Sequence, residues 1–252
     1  MQRLKDKVAI VTGGARGIGA AFSEAMAAAG AKVVIADVLD GEPVVGRILE
    51  AQGKAISVNT DVASPNSVAE MTARAVREFG TVDILVNNAG LFANLKKKSF
   101  LEIDSDEWDK VMAINVRGSF ECAKAVAPLM IEKKRGKIVN IASGTVFKGF
   151  ANMLHYVSSK GAVVAMTRCL ARELGPHNIC VNAIAPGLTM SEAIAVNPDW
   201  TGQANSGTRA SRAIQRDQVP ADLLGTLLYL SSDDSNFVTG QTIPVDGGSV
   251  MR

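Results

Sequence analysis

Short hydrophobic runs alternate along this chain with segments in which hydrophobic residues recur at helical spacing. The runs are rich in Val and Ile, which is typical of parallel strands buried on both faces. They predict strands at residues 8–11, 32–36, 55–58, 83–86, 137–141, 179–183 and 241–245. The intervening segments predict helices at residues 20–29, 42–51, 67–79, 106–133, 153–174 and 221–230. This alternation indicates βαβ units, so we expect an α/β protein whose parallel sheet is covered by helices.

The organisation of the chain predicts a single domain over residues 1–252, because no linker or shift in composition divides it. Residues 187–218 form its least regular part, with Trp200 and many small polar residues. A segment of this length without a clear period is usually functional in a compact domain. We therefore predict a substrate loop here, and the alternative is a surface excursion with a short helix.

Composition and charge exclude several classes of protein. Hydrophobic residues make up 47% of the 252 residues and the formal net charge is +2, which is typical of a globular protein and gives no footprint for nucleic acid. No stretch approaches the roughly 20 apolar residues of a membrane helix, and the first residues lack the apolar region of a signal peptide. We therefore expect a cytoplasmic protein that binds neither nucleic acid nor membrane.

Cysteine, histidine and lysine positions predict no disulfide and no metal site. Cys122, Cys169 and Cys180 are odd in number and far apart, so we interpret them as core thiols. Neither histidine has a partner at a metal-ligand spacing. The basic run at residues 96–98 is too short for a nucleic-acid patch, and we interpret it as a solvated loop.

A glycine-rich turn follows the first predicted strand and leads into a helix. Residues 12–19 read Thr-Gly-Gly-Ala-Arg-Gly-Ile-Gly. Glycines at such a turn let the backbone approach a diphosphate, and the free amides at the start of the helix favour a negative group. The position between strand and helix is what such a motif requires. The predicted dinucleotide contacts come from Gly13, Arg16, Gly17, Ile18 and Gly19.

Asp37 ends the second predicted strand, 18 residues after Gly19. A carboxylate at this place accepts hydrogen bonds from the adenosine ribose diol and repels a 2′-phosphate, which favours NAD over NADP. Arg16 favours the opposite choice because a guanidinium pairs with phosphate, but no basic residue follows Asp37 to assist it. We predict NAD, with NADP as the less favoured cofactor. The other interpretation of Asp37 is a cap for the next helix.

Tyr156 and Lys160 are four residues apart, so on a helix they share one face and touch. A free phenol, with a pKa of about 10, is a poor base at neutral pH unless a positive charge favours the phenolate. Lys160 would provide that charge. The hypothesis is that Tyr156 takes the proton of an alcohol while the carbinol hydride moves to a nicotinamide ring, and returns a proton in the reverse direction.

These residues resemble the short-chain dehydrogenase/reductase family along nearly the whole chain. The matching segments occur in family order, namely residues 12–19, 61–62 and 87–90, Asn115, Ser143, Tyr156 with Lys160, and residues 186–187. The resemblance implies a single-domain Rossmann fold with a doubly wound parallel sheet of about seven strands. It also implies a homotetramer. The closing run at residues 238–248 looks like the branch of bacterial alcohol dehydrogenases and ketoreductases.

The resemblance also implies roles for individual residues. Further cofactor contacts would come from Asp61, Val62, Asn88, Gly90, Pro186, Gly187, Leu188, Thr189 and Ser191, besides Tyr156 and Lys160. The first two hold the adenine, and Leu188 with nearby polar groups holds the carboxamide. Ser191 stands where many members carry Thr, so Thr189 is an alternative for that contact. Ser143 would hydrogen-bond the substrate oxygen, and Asn115 would hold a water that links Lys160 to solvent.

Residues expected to face the substrate are mostly apolar or aromatic, which favours a medium-sized hydrophobic or aryl secondary alcohol. They are Thr145, Phe147, Phe150, Met153, Leu154, Met190 and Trp200, and the alternative places several of them in ordinary core. Arg209 or Arg212 could swing in to bind a substrate carboxylate.

Two other functions remain open at this stage. One is reduction of 3-oxoacyl groups on a carrier protein, with residues 96–98 docking an acidic partner. Asp37 argues against it, because that reduction usually uses NADPH. The other is a non-catalytic dinucleotide sensor on the same fold. The combination of Asn115, Ser143, Tyr156 and Lys160 argues against a sensor.

Overall fold

The computed structural model describes residues 2–201 and 203–251, and it confirms the parallel sheet. The seven strands are β1 (Val8–Thr12), β2 (Lys32–Asp37), β3 (Lys54–Asn59), β4 (Ile84–Asn87), β5 (Gly136–Ile141), β6 (Ile179–Pro186) and β7 (Thr242–Val245). Their spatial order is β3-β2-β1-β4-β5-β6-β7, and every neighbouring pair is parallel. Strand order reverses between β1 and β4, the place where α/β sheets open a crevice for ligands.

The helices follow the strands in the predicted alternation. They are α1 (Gly17–Ala28), α2 (Glu42–Glu50), α3 (Pro65–Phe79), α4 (Ser105–Met112), α5 (Gly118–Glu132), α6 (Thr145–Lys148), α7 (Leu154–Leu174), α8 (Glu192–Ala195), α9 (Gln203–Ala210) and α10 (Ala221–Ser231). None of the described helices has the length and apolar character needed to cross a membrane.

The core lies on both faces of the sheet, which explains the uninterrupted hydrophobic strands. On β2, Val33 and Ile35 pack in one cluster with side chains of α1, α2 and α10. Val34, between them, packs in the opposite cluster with α3 and α5. Successive strand residues point to opposite faces, so a strand covered on both sides has no polar face. The result is a single Rossmann-like α/β domain.

Three predictions differ from the structure. The helix predicted at residues 106–133 is interrupted, because a π-helical turn at Ala113–Arg117 separates α4 from α5. Residues 187–218 contain α8, α9 and a 3₁₀ turn at Pro198–Trp200, so this segment is more regular than predicted. Cys169 is exposed, whereas Cys122 and Cys180 are buried, so the interpretation as a core thiol was wrong for Cys169. Met1, Gly202 and Arg252, which the domain prediction includes, lie outside the described residues.

Candidate active site

The glycine-rich turn brings the backbone of β1 against the loop that follows β4. Gly13 and Gly17 have φ of +63° and +55°, values that side chains other than glycine rarely adopt. A Cβ at Gly19 would lie 1.9 Å from the carbonyl oxygen of Gly13, so position 19 has no space for a side chain. The Asn88 amide donates to the carbonyls of Thr12 and Gly13 at 3.0 and 2.9 Å. Asn88 therefore fixes the shape of the turn as well as lining the groove.

Asp37 lies beside the glycine-rich turn at one end of the groove. Its carboxylate accepts hydrogen bonds from the Ala15 amide at 3.0 Å and the Leu39 amide at 3.1 Å. These bonds orient the side chain across the turn, and Asp37 still lines the cavity. The alternative interpretation as a cap for the next helix is not what the structure shows, because no capping bond runs from Asp37 to α2.

A cavity of about 910 Å³ extends from this turn along the carboxyl ends of the strands. All the residues predicted to contact the cofactor line it: Gly13, Arg16, Gly17, Ile18, Gly19, Asp37, Asp61, Val62, Asn88, Gly90, Tyr156, Lys160, Pro186, Gly187, Leu188, Thr189 and Ser191. A cavity of this size falls within the range of cofactor sites. The glycine cradle, the start of α1 and the oriented Asp37 carboxylate fit a dinucleotide.

Ser143, Tyr156 and Lys160 meet at the far end of the cavity. Burial raises the pKa of the Tyr156 phenol to about 12, and a polar contact with the Ser143 hydroxyl partly opposes this effect. Burial lowers the pKa of Lys160 to about 8. The Lys160 ammonium lies 6.0 Å from the centroid of the Tyr156 ring and donates to the Ile141 carbonyl at 2.7 Å. The two side chains share one helix face as predicted, but burial acts on the Tyr156 pKa in the direction opposite to a nearby cation.

Asn115 lies behind these residues and does not line the cavity within the described part of the chain. The π-helical turn buries it completely. Its side chain accepts from the Leu91 amide at 2.7 Å and donates to the Ser159 hydroxyl at 3.0 Å. Ser159 in turn donates to the Tyr156 carbonyl at 2.6 Å. Asn115 thus links the loop after β4 to the first turn of α7, a contact for which the sequence alone gave no signal.

An aromatic wall covers the Tyr156 end of the cavity. The ring centroids of Phe92 and Tyr156 are 4.8 Å apart, and those of Phe92 and Trp200 are 4.7 Å apart. Phe150 stacks on Trp200 at 5.9 Å. The Lys97 ammonium lies 3.9 Å from the Trp200 ring centroid and donates to the Asp199 carbonyl at 2.6 Å. This packing joins residues 197–200 to the loop after β4.

Several substrate-side predictions change with this geometry. Thr145, Phe150 and Trp200 line the cavity as predicted, whereas the described lining does not include Phe147, Met153, Leu154 or Met190. Phe92 lines it without having been predicted. Sequence reasoning missed it because no motif marks the position.

The basic residues near the cavity are held more firmly than the sequence suggested. Arg212 is buried, and its guanidinium donates to the Leu188 carbonyl at 2.7 Å and the Arg216 carbonyl at 2.6 Å. Arg209 lies 3.8 Å from Asp217. Lys98 pairs with Glu107, whose pKa this contact lowers. Residues 96–98 thus lie in a loop as predicted, but Lys97 and Lys98 are half-buried and held by these contacts.

Comparison with known proteins gives consistent results. A family model described as enoyl-(acyl carrier protein) reductase matches residues 13–250. A trans-4-hydroxycyclohexanecarboxylate dehydrogenase of Sinomonas cyclohexanicum is 36% identical, with 98% of this chain and 93% of that protein covered. A 3-oxoacyl-[acyl-carrier-protein] reductase of Synechocystis sp. is 34% identical, and the match covers 100% of each chain. A solved double mutant of a Serratia marcescens short-chain dehydrogenase/reductase superposes with a TM-score of 0.89 at 33% identity, covering 98% of this chain and 99% of that one.

Proposed function

The chain belongs to the short-chain dehydrogenase/reductase family of oxidoreductases, and on this premise we propose that it interconverts a medium-sized hydrophobic or aryl secondary alcohol and its ketone with NAD. The proposal rests on one observation, which is that a single cavity contains both the dinucleotide groove and the proton-transfer groups. The glycine cradle and Asp37 lie in one half, and Ser143, Tyr156 and Lys160 meet the aromatic wall in the other. One elongated cavity thus joins a dinucleotide groove to proton-transfer groups.

Tyr156 is the proposed acid and base. With its pKa raised to about 12, the phenol is protonated at neutral pH and can donate its proton to the oxygen of a ketone as that oxygen becomes an alkoxide. A nicotinamide cofactor held in the groove would supply or accept the hydride. Ser143, which contacts the phenol, is proposed to hydrogen-bond the same oxygen. In the oxidative direction Tyr156 must first lose its proton, and the Lys160 ammonium favours that charge.

Lys160 is the proposed source of positive charge for this step. Its pKa of about 8 leaves most of the population charged at pH 7. The hydrogen bond to the Ile141 carbonyl holds the ammonium in place and partly replaces the lost hydration. Asn115 is proposed to position α7 through Ser159, with the water relay to Lys160 as its further proposed role.

NAD is the proposed cofactor because of the electrostatics around Asp37. A 2′-phosphate beside this carboxylate would be repelled, and the two residues after it, Val38 and Leu39, offer no cation. Arg16 lines the same part of the cavity and favours NADP. The homotetramer and the cytoplasmic location expected from the sequence are proposed together with this function.

The aromatic wall favours a cyclic or aryl substrate. Phe92, Phe150 and Trp200 line the cavity, and Phe92 packs against the Tyr156 ring. The hydroxycyclohexane ring in the name of the Sinomonas relative is a secondary alcohol of this kind. The wall also gives residues 187–218 a proposed role as the substrate loop, since Trp200 belongs to it.

Reduction of 3-oxoacyl groups on a carrier protein is the second candidate. It is favoured by the name of the Synechocystis relative, and the description of the family model, although it names an enoyl reductase, also refers to an acyl carrier protein. The expected docking run is less free than the sequence suggested, because Lys97 contacts Trp200 and Lys98 pairs with Glu107. A non-catalytic dinucleotide sensor is disfavoured by the assembled group of Ser143, Tyr156 and Lys160.

The test is a panel of secondary alcohols and ketones followed by cofactor absorbance. NAD with a 1-aryl-ethanol is compared with NADPH and an acetoacetyl thioester. Tyr156→Phe should lower turnover by roughly 10²- to 10⁴-fold, the usual contribution of a general acid or base, while NAD binding is retained. Tyr229→Phe is the matched control, since these are the only two tyrosines of the chain. A Tyr156→Phe enzyme with the native rate would refute the mechanism, and turnover of the thioester alone would favour the second candidate.

A further inference from the structure

Lys137 and Cys180 form a buried pair at the end of the sheet opposite the cavity. They are direct neighbours in the register of β5 and β6, so their side chains lie on the same face. The Lys137 Nζ lies 3.5 Å from the Cys180 Sγ and 3.2 Å from the Ser235 Oγ. Lys137 is 6% exposed and Cys180 is 7% exposed.

The surroundings leave this ammonium without a carboxylate. The charged groups around it line a small cleft of about 10 Å³ and are Lys7, Asp83, Arg135 and Asp233. Asp83 pairs with Lys133 and Arg135, and Asp233 lies 3.9 Å from Lys7. None of the salt bridges found among the described residues includes Lys137. A buried cation normally has an anionic partner, whereas the side-chain contacts of this ammonium among the described residues are the Ser235 hydroxyl and the Cys180 sulfur.

The geometry points to Cys180 as an oxidant-sensitive thiol whose oxidised form Lys137 captures as a covalent cross-link. The oxidant is a hydroperoxide. The Cys180 sulfur attacks one peroxide oxygen, the O–O bond breaks, and the thiol proton leaves with the other oxygen as water or an alcohol, so that a sulfenic acid forms. Sulfur is oxidised and the peroxide is reduced.

Lys137 completes the sequence by a condensation without further oxidation. After its ammonium gives one proton to solvent, the amine attacks the sulfenic sulfur. The S–O bond breaks, and the hydroxide takes the second amine proton and leaves as water. Condensation of sulfenic acids with nitrogen is known chemistry. The product is an S–N bond between β5 and β6, with two hydrogen atoms fewer than the two reduced side chains.

The other two cysteines are internal comparators. Cys122 is buried, and burial raises its pKa to about 12, which makes it unreactive. Cys169 is exposed and reports that peroxide was active. Ordinary burial thus predicts that Cys180 behaves like Cys122, whereas a cation beside the sulfur stabilises the charge that develops during attack. Cys180 should therefore be oxidised because Lys137 lies beside it, whereas it should stay reduced if burial alone decides its reactivity.

The experiment treats the full-length chain with hydrogen peroxide, with and without dimedone as a trap for sulfenic acid, followed by peptide mass spectrometry. The wild type should yield a peptide pair joined through Lys137 and Cys180, which dithiothreitol releases. Lys137→Arg keeps the charge but not the amine, so the cross-link should be lost while dimedone labels Cys180. Lys137→Met removes both, and labelling of Cys180 should fall at least about 10-fold relative to Lys137→Arg.

Cys180→Ser controls for cross-links from other sites and should give none. Circular dichroism of each variant establishes that it is folded. If Lys137→Met does not fold, the comparison of the wild type with Lys137→Arg still tests the cross-link. The proposal is overturned if Cys180 stays reduced, like Cys122, while Cys169 is oxidised. It is equally overturned if Cys180 is labelled by dimedone in the wild type and no joined peptide forms.

Discussion

Lys160→Met should remove turnover and also change how the stability of the chain depends on pH. Burial lowers the pKa of Lys160 from 10.5 to about 8, and the side chain is 6% exposed. Below pH 8 both the folded and the unfolded chain carry the proton, so the folded state bears the full cost of the buried charge. Between pH 8 and 10.5 the unfolded chain binds more protons, and the stability of the native enzyme rises through that window.

The magnitude follows from the two pKa values. From pH 7 to pH 10 the titration of this one group should add about 2.5 kcal/mol to the free energy of unfolding of the native enzyme. Lys160→Met lacks the titration and should gain none of this increment. Its turnover should fall on the order of 10²-fold or more, because the charge beside Tyr156 is lost.

The assay is urea unfolding of the native enzyme and Lys160→Met at pH 7 and pH 10. Lys110→Met, which removes an exposed lysine of α4, is the matched control and should follow the native enzyme. The quantity compared is the change in free energy of unfolding between the two pH values, so titrations common to all three proteins cancel. Equal changes in the free energy of unfolding of the native enzyme and Lys160→Met would refute the reasoning, since they would show that folding does not lower the pKa of Lys160.

Two further substitutions test the cofactor half of the cavity. Gly19→Ala should weaken NAD binding severely, because its Cβ would meet the Gly13 carbonyl at 1.9 Å, whereas Gly225→Ala on α10 has open space and should bind normally. Fluorescence titration with NADH measures both, and equal affinity for the two variants would contradict the cradle. Asp37→Asn should lower kcat/KM for NAD about 10-fold and improve the use of NADP, since a charge-assisted hydrogen bond is worth roughly 1.5–3 kcal/mol. Asp40→Asn is its control, and a cofactor preference that Asp37→Asn leaves unchanged would argue against NAD selection by Asp37.

Sequence reasoning was most successful where one residue type satisfies a backbone requirement. The parallel sheet could be predicted because β1 and β2 carry uninterrupted apolar runs at residues 8–11 and 33–36, a pattern typical of strands covered on both faces. The glycine-rich turn could be predicted because Gly13 and Gly17 need a positive φ. Such requirements are local, so they remain visible without the fold.

The features that could not be predicted depend on contacts between distant segments. The π-helical turn leaves no mark on the helical periodicity of residues 106–133, yet it buries Asn115 against Leu91 and Ser159. Arg212 looked free to bind a substrate because one of its carbonyl partners, Leu188, lies 24 residues away in the sequence. Phe92 joined the aromatic wall only through the fold.

Burial of Tyr156 and Lys160 is the feature of the fold that affects the proposed chemistry most. Spacing placed the two side chains together, but it could not show that the same cavity raises the pKa of the phenol and lowers that of the ammonium. Below about pH 8 the pair is therefore a neutral phenol beside a cation, a state already suited to protonating an alkoxide. The oxidative direction needs a phenolate, while raising the pH to form one removes the charge on Lys160 that favours it. With the proposed role of Tyr156, we therefore expect the protein alone to favour the reductive direction, and efficient alcohol oxidation to require additional positive charge near Tyr156 when the substrates are bound.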